Sequence, residues 1–401
     1  MVKVTTKTAL GKVGKPRPDF PLFPHATNRW AKKVRGKLEY FGSVTGDPEG
    51  KAALEKWLDQ KDALLAGRRP RVSREGFTVR EICNRFLTNR QDKMRAGELS
   101  AVSFADYHAA CAKIVKAFGA TRLIDDLEAS DFEHFRRSMA KRWGPVTLAN
   151  EIRRIRVVFR YAEKNQLVTA PIRYGSEFKP PPRRVLRKER QAKGLRMFEA
   201  KDVKAILDKA ETPLKAMILL AINTGLGNYD ITCLPSKAVN LETAWLDYPR
   251  QKTSIGRRCP LWPETTAAIR EAIVRRPKPK KREHGSLLFI TKYGQPWGVR
   301  TVSEPDKKGK VRKNADDPVC KEFAKLIKVL KLHRHGLGFY ALRHTFETVA
   351  GDSRDQVAVD AIMGRARDDM ASVYRERIED ARLVAVVEHV RKWLFGNEET
   401  K

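Results

Sequence analysis

The chain has 401 residues and a formal net charge of +33 at neutral pH, from 81 lysines and arginines against 48 aspartates and glutamates. This length predicts about two or three domains, and a hydrophobic fraction of 41% is sufficient for their cores, which excludes wholesale disorder. So large a positive surplus indicates a polyanionic partner, and nucleic acid is the usual one.

Other classes of protein are also excluded. The sequence contains no apolar run of about 18 residues and no signal-peptide core, so we expect a cytoplasmic protein that is not held in a membrane. The cysteines are few, odd in number and without CxxC spacing, which predicts reduced, mostly buried thiols rather than a disulfide framework or a zinc site. They are Cys83, Cys111, Cys233, Cys259 and Cys320.

The first 70 residues predict a basic tail followed by a small sheet and a helix. Residues 1–20 are basic and contain glycine and proline, which is typical of a flexible segment. Residues 21–70 contain three short runs with strand character, separated by turn residues, and Asp47-Pro48 then opens a helix. The middle run carries Arg29, Lys32 and Lys33.

Residues 77–170 predict a helical domain. Four apolar stripes with helical spacing indicate four or five amphipathic helices. The polar face of the last one is strongly cationic and carries Arg153, Arg156 and Arg160. This face either contacts DNA, the reading that we favour, or simply keeps the helix in solvent.

Residues 171–196 predict a basic, proline-rich linker. Three consecutive prolines at 180–182 precede a run of cations that includes Arg183, Arg184 and Arg187. Prolines favour an extended segment, and these charges would allow it to follow a phosphate backbone.

Residues 197–401 predict a mixed α/β domain. A very apolar helix ends at residues 224–227, Thr-Gly-Leu-Gly, and two strands at 245–248 and 257–261 flank a turn that contains Lys252. Arg257 and Arg258 follow that turn. Residues 287–290 predict a short buried strand, and residues 306–313 a charged loop.

The C-terminal part of this domain contains the most specific pattern. Leu342-Arg343-His344-Thr345-Phe346 has helical spacing, and Met363-Gly364 predicts a helix end because glycine tolerates the left-handed conformation. Tyr374 then lies among cations, which favour a phenolate and would also hold a phosphate beside it. These cations are Arg365, Arg367, Arg375 and Arg377.

These residues resemble the signature of the tyrosine recombinases, or phage integrases. That signature is a Leu-Arg-His-Thr-Phe block, a Leu-Gly-His turn, and a nucleophilic tyrosine nine positions after the His of the turn. Here Met363-Gly364-Arg365 stands at the turn, and Tyr374 falls nine positions after Arg365. The resemblance covers most of the chain and implies a mostly α fold with small β-sheets (α+β). Its parts would be a small β-rich N-terminal module, a helical core-binding domain and a mixed α/β catalytic domain.

The resemblance implies a site-specific DNA recombinase or integrase that cuts and rejoins double-stranded DNA through a 3′-phosphotyrosyl intermediate. It implies a homo-oligomer on DNA, a tetramer, associated with the nucleoid, with no metal, no cofactor and no small-molecule substrate. Residues 21–70 would be an arm-type DNA-binding module, residues 77–170 the core-binding domain and residues 197–401 the catalytic domain.

The resemblance also implies roles for individual residues. Tyr374 would be the nucleophile, Arg343 the second catalytic arginine and Lys252 the general acid, while Tyr340 and Arg365 stand where the family has histidines. The cations of the first module, the helical domain and the linker would contact DNA. Arg257 and Arg258 would do the same.

One departure from the family pattern leaves the activity open. Gly227 stands where the family has its first arginine. Losing a positioned transition-state donor costs ~2.7–4 kcal/mol. Either Arg365, Arg257 or Arg258 fills this gap, or the enzyme is slow, or the protein is a DNA-binding relative without turnover. A type IB topoisomerase and an RNA-binding basic protein are further alternatives that rank lower.

The last apolar stripe leaves a choice as well. It predicts a C-terminal helix that either docks on a neighbouring protomer or packs on its own domain. Its residues are Leu383, Val386, Val387, Val390, Trp393 and Leu394.

Overall fold

The computed structural model describes residues 14–67, 76–303, 311, 313–365, 370 and 374–396. Most of the predicted basic tail, most of the predicted charged loop at 306–313, and Arg367 lie outside the described residues. The chain divides into two compact units, Met1–Pro181 (unit 1) and Pro182–Lys401 (unit 2).

Unit 1 begins with a three-stranded antiparallel sheet and one helix, as predicted. Strands β1 (Phe23–His25), β2 (Arg29–Val34) and β3 (Lys37–Ser43) pair in that order, and helix α1 (Lys51–Leu65) packs on the sheet. The Asp47 carboxylate accepts hydrogen bonds from the backbone N–H groups of Lys51 at 3.0 Å and Ala53 at 2.8 Å, which satisfies free donors at the start of α1. Trp30 is fully buried between sheet and helix.

The rest of unit 1 is helical. It contains α2 (Val79–Arg95), α3 (Ala101–Phe118), α4 (Ala129–Ala140) and α5 (Pro145–Lys164). Thr78 and Glu81 form a capping box that fixes the start of α2. The predicted apolar stripes meet in one core, where Phe118, Phe132 and Phe159 pack edge to face.

Unit 2 opens with a helix where the sequence predicts an extended linker. Helix α6 (Arg183–Ala192) begins directly after the three prolines, and none of its residues is buried. Proline at the cap position is compatible with a helix start, and the arginine, lysine, leucine and glutamate residues that follow are good helix formers. A Lys193–Glu189 ion pair of 2.9 Å at helical spacing adds to this preference.

The remaining elements of unit 2 follow a mixed order. Helices α7 (Ala200–Lys209), α8 (Leu214–Thr224) and α9 (Asn228–Thr232) precede the antiparallel sheet β4 (Val239–Asn240), β5 (Trp245–Asp247) and β6 (Arg258–Pro260). Helix α10 (Pro263–Val274) comes next, and then the hairpin β7 (Val299–Val302) and β8 (Lys313–Asp316). The chain continues through α11 (Pro318–Val329), α12 (Ala341–Gly351), α13 (Gln356–Met363) and α14 (Asp380–Phe395).

One local prediction in unit 2 was wrong, and one hairpin was missed. Residues 287–290 are buried in part but form only isolated bridges, Leu287 with Pro235 and Ile290 with Pro296. A proline on each partner segment removes the N–H that a regular ladder needs. The β7–β8 hairpin was not predicted, because its charged residues lack the apolar alternation of a half-buried strand.

The core of unit 2 surrounds α8, which is buried on all sides. Helix α14 packs into this same core through the apolar stripe predicted from sequence. In this structure the stripe therefore packs on its own unit. No helix in the described ranges is long and apolar enough to cross a membrane.

Candidate functional site

The Arg343 side chain is held between the ends of two helices. It projects from the first turn of α12, is only 5% exposed, and donates hydrogen bonds to the carbonyl oxygens of Gly225 and, at 3.1 Å, Met363. Gly225 follows α8 and has a φ of 64°, and a Cβ there would lie 2.6 Å from the Phe346 ring. Glycine is therefore required for the close approach that brings its carbonyl to Arg343.

A turn of the β5–β6 loop contacts the end of α13 beside Arg343. Arg250 Nη1 and Thr253 Oγ1 each donate to the Gly364 carbonyl at 3.2 Å. Gly364 ends α13 with a φ of 61°, and a Cβ there would meet the Arg257 Cδ atom at 2.7 Å. Lys252 is exposed in this turn, between two residues that bind the same carbonyl.

The Arg257 side chain lies inside unit 2. Its side chain is 0% exposed and forms a 3.2 Å ion pair with Asp230. Its Nε and Nη2 atoms donate to the backbone oxygens of Tyr248 at 2.9 Å and Pro249 at 3.5 Å, respectively. Burial lowers the pKa of the Arg257 guanidinium, and Asp230 offsets part of this effect. Arg257, predicted as a DNA contact, instead connects the β5–β6 loop to α9.

Arg258, the next residue, points in the opposite direction along β6. It pairs with Asp247 at 3.1 Å and Asp380 at 2.9 Å, and its guanidinium lies 4.2 Å from the centre of the Trp245 ring. Arg258 is an exposed residue, so it is accessible to an anion that displaces these carboxylates.

Gly227 faces Tyr340 and Asp230. A Cβ built on Gly227 would lie 3.2 Å from the Tyr340 ring and 3.7 Å from Asp230 Oδ2. Tyr340 caps the start of α12 and is 47% exposed. The side chains nearest to Gly227 are therefore a phenol and a carboxylate that is already paired with Arg257.

The next positions of the site are His344 and Arg365. The His344 ring packs edge to face against Tyr340, with ring centres 5.4 Å apart. Partial desolvation lowers the pKa of His344, and the positive charges of Arg196, Arg343 and Arg365 lower it further. Arg365 pairs with Glu347 at 2.6 Å and is 40% exposed. His344 is therefore mostly neutral at pH 7, while Arg365 keeps a charge that a carboxylate already neutralises.

Tyr374 is exposed to solvent. It is 75% exposed and helical, and residues 366–369 and 371–373, which precede it, are outside the described part. The segment after it, residues 375–378, lines a cavity of about 780 Å³ together with Tyr248, Arg257 and Arg365. The structure thus brings together Arg343, Tyr340, Arg365 and the turn of Lys252, and leaves Tyr374 as a predicted nucleophile.

The predicted DNA contacts outside this site are surface cations. On β2, Arg29 and Lys33 are exposed, and Lys32 lies 5.6 Å from the centre of the Trp57 ring. On α5, Arg153 and Arg160 are exposed and Arg156 lies 4.9 Å from the centre of the Tyr174 ring. Arg183, Arg184 and Arg187 are exposed on α6.

Sequence reasoning missed two residues of the site. Arg250 was not singled out, although it lies two positions before Lys252, and Asp230 was not recognised as the partner of Arg257. The only sequence signal for Arg250 was its position in the chain, two residues before Lys252. The Arg257–Asp230 ion pair and the hydrogen bond from Arg250 to Gly364 both depend on how the β5–β6 loop folds onto α9 and α13, which no local pattern specifies.

Within the described part of the chain, no group of three His, Cys, Asp or Glu side chains is arranged to hold a metal ion.

One protein-family model and a number of solved structures match this chain. Residues 196–380 match the model of the Phage integrase family. The Tn1549 transposon integrase in complex with a circular intermediate DNA is 17% identical with a TM-score of 0.55, covering 78% of this chain and 99% of that chain. A lambda integrase tetramer bound to a Holliday junction is 15% identical with a TM-score of 0.54, covering 91% of this chain and 98% of that chain.

A third solved structure is XerH site-specific recombinase bound to a palindromic difH substrate. It is 14% identical with a TM-score of 0.55, covering 74% of this chain and 92% of that chain. At such low identities these likenesses show the fold, and they confirm the predicted mostly α fold with small sheets. Among curated protein sequences, none matches this chain.

Proposed function

The chain carries a phage integrase domain at residues 196–380, and from this premise we propose that it is a site-specific DNA recombinase that uses Tyr374 as its nucleophile. The observation that carries the proposal is the position of Arg343. Both of its terminal nitrogens are anchored on backbone carbonyls, yet each nitrogen has a second N–H, and the Nε–H also remains. A buried guanidinium with donors left over is suited to stabilise the charge of a reacting phosphate.

The proposed step is a transesterification. The Tyr374 hydroxyl oxygen attacks a DNA phosphorus, its proton leaves to a base or to water, and the bond from phosphorus to the 5′ oxygen breaks. Lys252 donates a proton to that oxygen, which leaves as a 5′-hydroxyl, and the 3′ end stays joined to Tyr374. The reverse reaction with a different strand completes the exchange, without an external energy source.

The neighbours of Arg343 support the phosphate in this scheme. Tyr340 is half exposed beside Gly227 and can donate its hydroxyl proton to a non-bridging oxygen. Arg365 uses one nitrogen for Glu347 and keeps other N–H groups for a phosphate. His344 is neutral and packs on Tyr340, so in this proposal it positions that ring.

We further propose double-stranded DNA as the partner and a homo-tetramer as the active assembly on it. The similar structures named above are complexes with DNA, and one of them is a tetramer. Residues 21–70 would act as an arm-type module, 77–170 as the core-binding domain, 171–196 as a basic linker and 197–401 as the catalytic domain. A cytoplasmic, nucleoid-associated location follows from a DNA substrate.

Covalent trapping tests the proposal. Duplexes that the full chain selects from a random pool are nicked beside each phosphate in turn, so that a short 5′-hydroxyl fragment dissociates after cleavage and the adduct accumulates. We expect a denaturation-resistant protein–DNA adduct with the wild type and none with Tyr374→Phe. Absence of an adduct with the wild type, or an undiminished adduct with Tyr374→Phe, would contradict the proposed chemistry.

A second candidate function is DNA binding without turnover. It is favoured by the environment of Gly227, whose nearest side chains are a phenol and a carboxylate that is already paired with Arg257. This candidate predicts salt-sensitive DNA binding with no adduct. It gains support if Gly227→Arg alone creates cleavage in a protein that otherwise shows none, and it fails if the wild type forms the adduct.

A further inference from the structure

We propose that Arg250 binds the reacting phosphate together with Arg343 and supplies the guanidinium that Gly227 cannot. The inference rests on the proposed function, because it assigns a catalytic residue to that same site. Arg250 belongs to the β5–β6 loop, far in sequence from Gly227, and no motif of the domain marks it.

The first support is geometric. Arg343 donates to the carbonyl of Met363 at 3.1 Å, and Arg250 donates to the carbonyl of Gly364 at 3.2 Å. These are consecutive carbonyls at the end of α13, so the two guanidiniums are anchored on one short piece of backbone. An anion the size of a phosphate needs donors from more than one side, and this arrangement supplies two guanidiniums for it.

The second support is a comparison of the nearby arginines. Arg257 is fully buried and paired with Asp230, Arg258 is paired with Asp247 and Asp380, and Arg365 is paired with Glu347. These were the three candidates that the sequence offered for the missing arginine. In the described part of unit 2, Arg250 has one carbonyl acceptor and no carboxylate partner. It is half-buried, so its charge is only partly screened by water.

The third support is electrostatic. Two neighbouring guanidiniums repel each other. The pKa of Arg343 is lowered to about 10, chiefly by burial and next by the positive charge of Arg250. A phosphodiester carries one negative charge, and binding it between the two groups would convert this repulsion into attraction. A bound phosphodiester would thus neutralise positive charge that Arg250 and Arg343 hold within the described residues.

A binding cycle between protein and DNA tests the contact without requiring cleavage. A methylphosphonate, which replaces one charged non-bridging oxygen by a methyl group, is placed at each backbone position of a selected duplex in turn. Equilibrium binding is then measured for the wild type, Arg250→Ala and Arg250→Lys. At one position we expect the methylphosphonate to weaken DNA binding by the wild type about tenfold, which is the range of a charge-assisted hydrogen bond. At the same position it should weaken DNA binding by Arg250→Ala by at most about twofold.

The matched control is Arg270→Ala. Arg270 is exposed on α10 and, like Arg250, donates to one backbone carbonyl, that of Leu241 at 2.7 Å. Its loss removes the same charge and the same kind of hydrogen bond, so this variant should keep the wild-type sensitivity at every phosphate. If Arg250→Ala also keeps it at every phosphate, Arg250 touches none of them and the inference is overturned. Thermal unfolding of each variant shows whether it is folded. If Arg250→Ala does not fold, the comparison is made with Arg250→Lys.

The trapping assay separates this inference from the proposed function. If the wild type forms the adduct, Arg250→Ala should slow it by about 10²–10³-fold on a phosphate and by much less on a methylphosphonate. Equal slowing on both substrates would indicate a merely structural role and would overturn the inference. If the wild type forms no adduct, the proposed function fails, and the binding cycle still decides whether Arg250 contacts a phosphate.

Discussion

The arginines of this site differ in the group that accepts their hydrogen bonds. Arg257, Arg258 and Arg365 each have a carboxylate, whereas Arg343 and Arg250 rest on carbonyls, which carry only partial charge. A carboxylate partner neutralises the charge of a guanidinium within the protein. A carbonyl partner fixes the position of the guanidinium but leaves its full charge available to an anion. In the proposed function, the two arginines anchored on carbonyls would therefore meet a phosphate with their full charge, and Arg365 with the N–H groups that Glu347 leaves free.

His344 gives a prediction at this scale. Its imidazole pKa should lie below the ordinary value of about 6.5, and Arg196→Gln should raise it because one of the positive neighbours is removed. Proton NMR titration measures this, with the His344 resonance assigned by its loss in His344→Asn. Arg270→Ala, which removes a charge elsewhere in unit 2, should leave the titration unchanged, and an equal shift there would contradict the local explanation.

The same shift predicts a direction for stability. Below about pH 6.5 the unfolded chain binds a proton at His344 that the folded chain resists, so folding becomes less favourable as the pH falls. The melting temperature of the wild type should therefore decline more between pH 7 and pH 5 than that of His344→Asn. The effect will be small because the imidazole is partly exposed to solvent.

At the scale of elements, α14 is part of the core of unit 2. Trp262 donates through its indole N–H to the carbonyl of Val387 at 3.1 Å, and Arg391 forms a two-pronged pair with Glu264 whose shortest distance is 2.6 Å. Deleting residues from about 382 onward would therefore expose the core around α8. Such a deletion tests folding before it tests assembly on DNA.

Leu394→Ala measures this contribution. Leu394 is 0% exposed, so removal of its side chain should lower the free energy of unfolding of unit 2 by about 2–5 kcal/mol. Val384→Ala, on the same helix but 40% exposed, should cost well under about 1 kcal/mol. Urea denaturation followed by tryptophan fluorescence compares the two variants. Equal losses in the free energy of unfolding would contradict the assignment of the buried face of α14.

At the scale of the whole molecule, the charge of +33 is spread over both units and not confined to the site. Exposed cations follow α5 in unit 1 and α6 in unit 2, and many carboxylates are already used within the fold. A distribution of this kind supports sequence-independent attraction to a polyanion, while individual contacts set the position on it.

The salt dependence of DNA binding tests the α5 contribution. Arg153→Gln combined with Arg160→Gln should reduce the slope of log K against log salt by about 2, because each phosphate contact contributes about 0.9. Arg137→Gln on α4 removes a charge that already pairs with Glu133 at 2.6 Å, and it should leave the slope nearly unchanged. A slope that the double variant does not alter would mean that this face of α5 lies away from DNA.

The comparison of sequence and structure differs between these scales. Apolar periodicity predicted the helices α2 to α5 of unit 1 and the buried α8, because burial of one face is a local property of the sequence. Composition misled at α6, where prolines at the cap were read as an extended linker. At the site, the pattern from Arg343 to Gly364 predicted the helix end that the structure contains, but the pairing of Arg257 with Asp230 and the position of Arg250 required the folded loop.

The shared anchor at the end of α13 has one more consequence. Because Met363 and Gly364 are adjacent, a rotation or shift of this last helical turn displaces Arg343 and Arg250 in concert. In the proposed reaction, a displacement of these two peptide groups would therefore change the position of both phosphate-binding guanidiniums at once.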